Sequence, residues 1–138
     1  MLSVFMTVYS HSRLSCYEQC PQKFKFRYID KIETTEEETV EAFLGSRVHE
    51  ALEKLYRDLQ YQKELSLDEL LVFLQNEWKA NWTDNIIVVN NSYGPLNYLK
   101  MAEKYLSDYY RRYYPFNQGK TVALEELIRI QLDDAGAY

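Results

Sequence analysis

One histidine stands out in the sequence because of the residue four positions before it. His49 follows Gly45 in the stretch FLGSRVHEALEKLY, and residues four apart lie on one face of a helix, here beside an apolar stripe. Glycine costs a helix about 1 kcal/mol relative to alanine, but it leaves space beside its neighbours. A lone histidine there is more often packed than functional, although imidazole is also a common metal ligand. The glycine favours a binding role for His49.

Composition limits the classes of protein to which the chain can belong. Its 138 residues predict a single domain, 1–138. A net charge of -5 excludes a polycation that coats nucleic acid. No apolar run is long enough to span a membrane, and the first residues lack the features of a signal peptide. Cys16 and Cys20 are too few for a disulfide scaffold. We therefore expect a cytoplasmic protein.

Positive charge is concentrated near the N-terminus. The basic residues of this segment include Arg13, Lys23, Lys25 and Arg27. Two interpretations are open: a solvated face of a helix, or a surface that positions the phosphates of DNA.

Hydrophobic periodicity predicts a mainly α-helical chain. A short helix begins at Ser10 or Ser12 and ends before Pro21, and a second short helix or extended turn follows it. A long helix is expected over about residues 36–60, begun by a capping box of Thr35 and Glu38. Ser66 and Glu69 form the same pattern at the start of the next helix. Pro95 fits the first position of a further helix, which ends before Pro115.

The C-terminal segment differs from the rest in its pattern. Residues 121–132 are rich in β-branched and apolar side chains that mostly alternate, which predicts a strand, and DDAG after it is a turn signal. The returning strand of such a hairpin is not present in the chain. The pattern therefore predicts an α-helical part with the start of a β-hairpin, a truncated chain, and self-association through the unpaired strand.

The motifs of the N-terminal half resemble a known family. In order, they are Ser10, Ser12 and Leu14; Tyr17, Cys20, Pro21, Phe24 and Tyr28; and Gly45, His49, Leu52 and Tyr56. The types and spacing of these residues resemble those of the motifs in the RecB-like branch of the PD-(D/E)XK nuclease superfamily. The resemblance implies the N-terminal portion of an α/β restriction-endonuclease-like nuclease domain, helical over 1–115 and with the first strand of the catalytic sheet at about 121–132.

The resemblance also implies a chemistry, which is metal-dependent hydrolysis of phosphodiesters by a DNA exonuclease of the repair or recombination type. His49 would bind Mg²⁺ or Mn²⁺ in the complete domain, together with acidic residues and a lysine from the second and third strands. We expect neither the acidic motif nor the Asp/Glu-x-Lys motif of those strands to occur in this chain, so we expect the chain alone to be inactive. Glu125, on the predicted first strand, is either a further acid of the metal site or a surface glutamate.

Three further expectations concern a cluster, the partners and an alternative function. Some relatives bind an iron–sulfur cluster beginning at a cysteine equivalent to Cys20, but two cysteines cannot supply four thiolates, so we expect a buried structural thiol. The expected partner is DNA, single- or double-stranded and bound without sequence preference, with no membrane. The alternative function is a non-catalytic helical module that binds DNA or a protein.

Overall fold

The structure is a computed structural model that describes residues 8–33, 37–89 and 92–130. The chain divides into two compact units, Met1–Glu36 and Glu37–Tyr138. We call them the N-terminal and the C-terminal unit and describe each by itself. In the described part of the chain, no helix is long and apolar enough to cross a membrane.

The N-terminal unit consists of short helices that begin at capping residues. Helix α1, His11–Gln19, starts at Ser10, whose hydroxyl accepts a hydrogen bond from the backbone N–H of Arg13. Helix α2, Pro21–Phe24, has proline at its first position, where no backbone N–H is needed. It continues as a π-helical turn over Lys25–Ile29. The first of the two predicted caps, Ser10, is confirmed.

The C-terminal unit packs three helices around one apolar core. Helix α3 spans Val40–Gln60, α4 spans Leu67–Asn81 and α5 spans Pro95–Tyr113. Each helix contributes buried side chains, among them Phe43 and Leu55 from α3, Leu70, Leu74 and Trp78 from α4, and Ala102 and Leu106 from α5. Burial of these apolar side chains is the main driving force for folding of this unit.

Two short strands form a small sheet in this unit. Strand β1, Glu38–Thr39, pairs in parallel with β2, Ile86–Ile87. The pairing corrects the predicted start of the long helix, which begins at Val40 after the cap Thr39 and not near residue 36. Residues 38 and 39 are held in the sheet and cannot join the helix. The expected cap Thr35 lies outside the described residues.

The other predicted helix boundaries are confirmed. Ser66 and Glu69 form the capping box of α4, with each side chain bonded to the other residue's backbone N–H. Helix α5 begins at Pro95 and ends at Tyr113, before Pro115. These signals are local hydrogen-bonding and steric rules, which is why they can be read from the sequence.

The C-terminal segment does not form the predicted strand in its described portion. Residues 120–130 contain neither helix nor strand. Several of their apolar side chains are exposed: Val122, Leu127, Ile128 and Ile130. A strand needs a partner for its backbone groups, and no other described segment pairs with this one. Residues 131 and 132 and the predicted turn lie outside the described residues. The described fold is thus mostly helical, and the α/β expectation is not confirmed.

Candidate functional site

Helix α3 carries Gly45 and His49 on one exposed edge. The helix is unbroken between Phe43 and Leu52, as the periodicity predicted. The side chain of His49 is 74% exposed, so it lies further from the core than its place beside the apolar stripe suggested. A Cβ atom added at Gly45 would have no heavy atom within 4 Å. Packing therefore does not require glycine here, and the space before His49 is open.

The structure brings Glu125 to His49 across 76 positions of sequence. Oε1 of Glu125 lies 3.4 Å from Nδ1 of the imidazole, and the carboxylate is 63% exposed. The backbone of Glu125 has φ of 45°, in the left-handed region that costs a residue with a side chain about 1–2 kcal/mol. Such strain is concentrated at functional sites. We call these two residues the His49–Glu125 pair.

The pair has the donor atoms of a partial metal site. An imidazole nitrogen and a carboxylate oxygen 3.4 Å apart can contact one ion, because each ligand bond to Mg²⁺ is about 2.1 Å long. Among the residues that the structure describes, no three His, Cys, Asp or Glu side chains converge as metal ligands. An octahedral ion takes six ligands, so the pair fits such an ion as two of its ligands.

A separate cavity of about 300 Å³ lies between α3 and α4. Three of its four carboxylates are paired with cations: Glu50 with Arg47, Glu53 with Arg57, and Asp58 with Lys54. Glu77 also lines it. Glu77-Trp78-Lys79 has the letters of an Asp/Glu-x-Lys motif, which corrects the expectation that this pattern does not occur in the chain. These three residues lie in α4 with Trp78 buried, and not on a strand. We therefore assign no metal chemistry to this cavity.

The motif residues of the N-terminal unit form an aromatic cluster. The rings of Tyr17 and Phe24 are 5.3 Å apart, and those of Phe24 and Tyr28 are 5.1 Å apart. The guanidinium of Arg13 lies over the rings of Phe24 and Tyr28 and also over Tyr9, at 4.9 Å. Cation–π contacts of this kind stabilise the packing of helices. The cluster gives Tyr17, Phe24, Tyr28 and Arg13 a structural role.

The remaining basic residues and the cysteines are placed differently. Lys23, Lys25 and Arg27 are exposed. Cys16 is buried, whereas Cys20 is exposed and free, which corrects the expectation of a buried thiol at Cys20. Its sulfur accepts a hydrogen bond from the backbone N–H of Lys23 at 3.4 Å and so caps α2, ahead of Pro21.

One contact beside the site was not predicted from the sequence. The hydroxyls of Tyr56 and Tyr109 form a hydrogen bond at 2.7 Å that joins α3 to α5. Burial raises the pKa of Tyr109 far above its ordinary value, and the bond to Tyr56 adds to that rise. Tyr56 was identified as a motif residue, but no sequence signal pointed to its partner 53 positions away.

Comparison with known proteins identifies the family. The PD-(D/E)XK nuclease superfamily matches residues 8–133, nearly the whole chain. The protein therefore belongs to the PD-(D/E)XK nuclease superfamily, whose members in general are metal-dependent nucleases that act on nucleic acid. Neither the curated proteins nor the solved structures gave a match. The matched range includes both residues of the His49–Glu125 pair.

Proposed function

We propose that the His49–Glu125 pair is part of the metal site of a RecB-like DNA exonuclease domain. The observation that carries the proposal is the 3.4 Å approach of a carboxylate oxygen to the motif histidine. Both side chains are exposed, so an ion and a phosphate can reach them. The open position at Gly45 leaves room on the same edge of α3.

The two side chains have complementary roles in this proposal. The carboxylate of Glu125 supplies the oxygen ligand that Mg²⁺ and Mn²⁺ prefer. His49 supplies a nitrogen ligand and is fixed in position by α3. A bound divalent ion polarises a phosphodiester and lowers the pKa of its water. The acidic and lysine residues of the second and third strands are required for hydrolysis, so the 138-residue chain alone is expected not to cleave DNA.

The substrate in this proposal is DNA of any sequence, in repair or recombination, in the cytoplasm. The exposed cations Lys23, Lys25 and Arg27 would contact its phosphates, whereas Arg13 is held among aromatic rings. Phosphate contacts make binding dependent on salt. Replacing all three exposed cations by glutamine should reduce the slope of log affinity against log salt by about 2–3. An unchanged slope in filter binding would show that these residues are only a solvated face.

Calorimetric titration with Mn²⁺ tests the metal assignment. The full chain is expected to bind one Mn²⁺ weakly, and both His49→Ala and Glu125→Gln should abolish the binding heat. Glu126→Gln and His11→Ala are matched controls, which remove the neighbouring carboxylate and the second histidine and should leave binding intact. Binding that survives His49→Ala, or that needs Glu126 in place of Glu125, would overturn the proposal. Mn²⁺-dependent DNA cleavage by this chain alone would show that it already contains all the ligands.

A further inference from the structure

A row of tyrosines lies along one side of α5. Tyr105, Tyr109 and Tyr113 recur every fourth residue and so lie on one side of the helix. The rings of Tyr109 and Tyr113 are 4.6 Å apart and tilted by 45°. Tyr105 is 50% exposed, although Ala102 and Leu106, in the same turn of α5, are completely buried. Core packing therefore does not account for the ring of Tyr105.

The row lies on a helix that runs beside the one carrying His49. Tyr98 bonds Glu41 at 3.3 Å, and Tyr109 bonds Tyr56 at 2.7 Å, so α3 and α5 lie side by side and run in the same direction. His49 precedes Tyr56 by two helical turns, which is about 10 Å along α3. Tyr105 precedes Tyr109 by about 6 Å along α5. Along the helix axes, position 105 is therefore level with the part of α3 between His49 and Tyr56.

Positive charge lies at the far end of the row. The guanidinium of Arg112 is 5.5 Å from the ring centre of Tyr113, and Arg111 is next to it in the last turn of α5. Both arginines are exposed, and neither pairs with a carboxylate in the part of the chain that the structure describes. By contrast, Lys104 is neutralised by Asp108 at 2.7 Å. The unpaired cations of this surface are thus at its C-terminal end.

We propose that the surface formed by Tyr105, Tyr109, Tyr113 and Arg112 binds an unpaired nucleic-acid strand and leads it towards the His49–Glu125 pair. Aromatic side chains stack on single-stranded bases of any sequence, while a nearby cation contacts the phosphates. Bases in a duplex are stacked on each other and do not present a face to Tyr105. The inference rests on the proposed nuclease function and specifies that the strand near the metal site is single-stranded.

Binding of fluorescein-labelled oligodeoxythymidine to the full chain, without metal, tests this surface by anisotropy. The wild type should bind this strand more tightly than an abasic strand or a blunt duplex of the same length. Tyr105→Leu keeps an apolar side chain in the helix but loses the ring, and should weaken binding about 5- to 100-fold. Tyr105→Phe keeps the ring face and should bind as the wild type does.

One control variant and one further test variant complete the experiment. Tyr61→Ala removes a tyrosine that is 80% exposed at the end of α3 and should leave binding unchanged. Arg112→Gln should reduce the salt slope by about 0.7, the value for one phosphate contact on a single strand. Equal binding by Tyr105→Leu and the wild type, equal affinity for the abasic strand, or no binding by the wild type would each overturn the inference.

The outcome is separable from that for the metal site. Oligonucleotide binding is measured without metal, so it does not require an ion at the His49–Glu125 pair. A variant that loses Mn²⁺ binding but keeps oligonucleotide binding bears only on the metal assignment. A Tyr105→Leu variant that binds Mn²⁺ normally but no longer distinguishes the abasic strand tests only the stacking surface.

Discussion

Gly45 is a residue whose type is not explained by packing. An alanine methyl group there would meet no neighbouring heavy atom within 4 Å, and alanine is the better helix former. The chain thus forgoes helix stability beside His49. In the proposed metal site, a small residue at this position leaves the imidazole one turn later open to an ion and a phosphate.

Replacing this glycine tests the point directly. Gly45→Ala should raise the free energy of unfolding by about 1 kcal/mol, as measured by urea denaturation. Ser46→Ala is the matched control, since Ser46 is exposed on the same helix and its hydroxyl only donates to the carbonyl of Ala42. Its effect should be a few tenths of a kcal/mol. A destabilised Gly45→Ala variant would mean that the space beside His49 is not open.

At the level of single residues, the sequence predicted the candidate site only in part. His49 was identified from its type and from its spacing to Gly45, which is a local feature of one helix. Glu125 remained one of two interpretations, because its approach to His49 depends on the path of the chain after α5. No local pattern specifies that path, and the strand predicted for the segment is absent from its described residues.

Among the helices, the boundaries that could be predicted are those set by neighbouring residues. Ser66 with Glu69, and Pro95, act through hydrogen bonds and sterics within one turn. The start of α3 depends instead on the pairing of β1 with β2, 48 positions apart in register. That pairing takes Thr39 out of the helix and makes it the cap. Non-local pairing of two-residue strands leaves no periodic signal in the sequence.

The capping box of α4 gives a prediction with a defined pH dependence. Hydrogen bonds from the backbone N–H and the hydroxyl of Ser66 lower the pKa of Glu69 below its ordinary value near 4.5. A lowered pKa in the folded state means stability that is present above the ordinary pKa and lost as the pH falls through the lowered one. The box therefore stabilises α4 at neutral pH and less so in acid.

Ser66→Ala removes the cap and part of this linkage. The free energy of unfolding at pH 7 should fall by about 1 kcal/mol. The difference from the wild type should narrow when urea denaturation is repeated near pH 3, because Glu69 is then increasingly protonated in both proteins. A difference that grows in acid would contradict the assignment of the lowered pKa to this box.

For the whole molecule, exposed apolar side chains after α5 predict association. Val122 is 91% exposed, and Leu127, Ile128 and Ile130 are between 76% and 79% exposed. Extended segments with unpaired backbone groups and exposed apolar side chains favour pairing with another chain. We expect a dimer or larger oligomer at micromolar concentration in sedimentation velocity.

Substitutions in this segment provide the control. Replacing Leu127, Ile128 and Ile130 by serine should give a monomer while leaving Glu125 in place. The same number of changes at exposed positions of α4, such as Val72→Ser, Asn76→Ser and Lys79→Ser, should leave the oligomer intact. A wild-type chain that sediments as a monomer would show that the segment does not mediate association.

Paramagnetic broadening by Mn²⁺ tests the central claim most directly, because the chain has only two histidines. A substoichiometric amount of Mn²⁺ should broaden the imidazole C–H signals of His49 in a proton NMR spectrum and leave those of His11 sharp. In Glu125→Gln the broadening of His49 should be strongly reduced, whereas Glu126→Gln should behave as the wild type. Sharp His49 signals, or equal broadening of both histidines, would contradict a metal site at the His49–Glu125 pair.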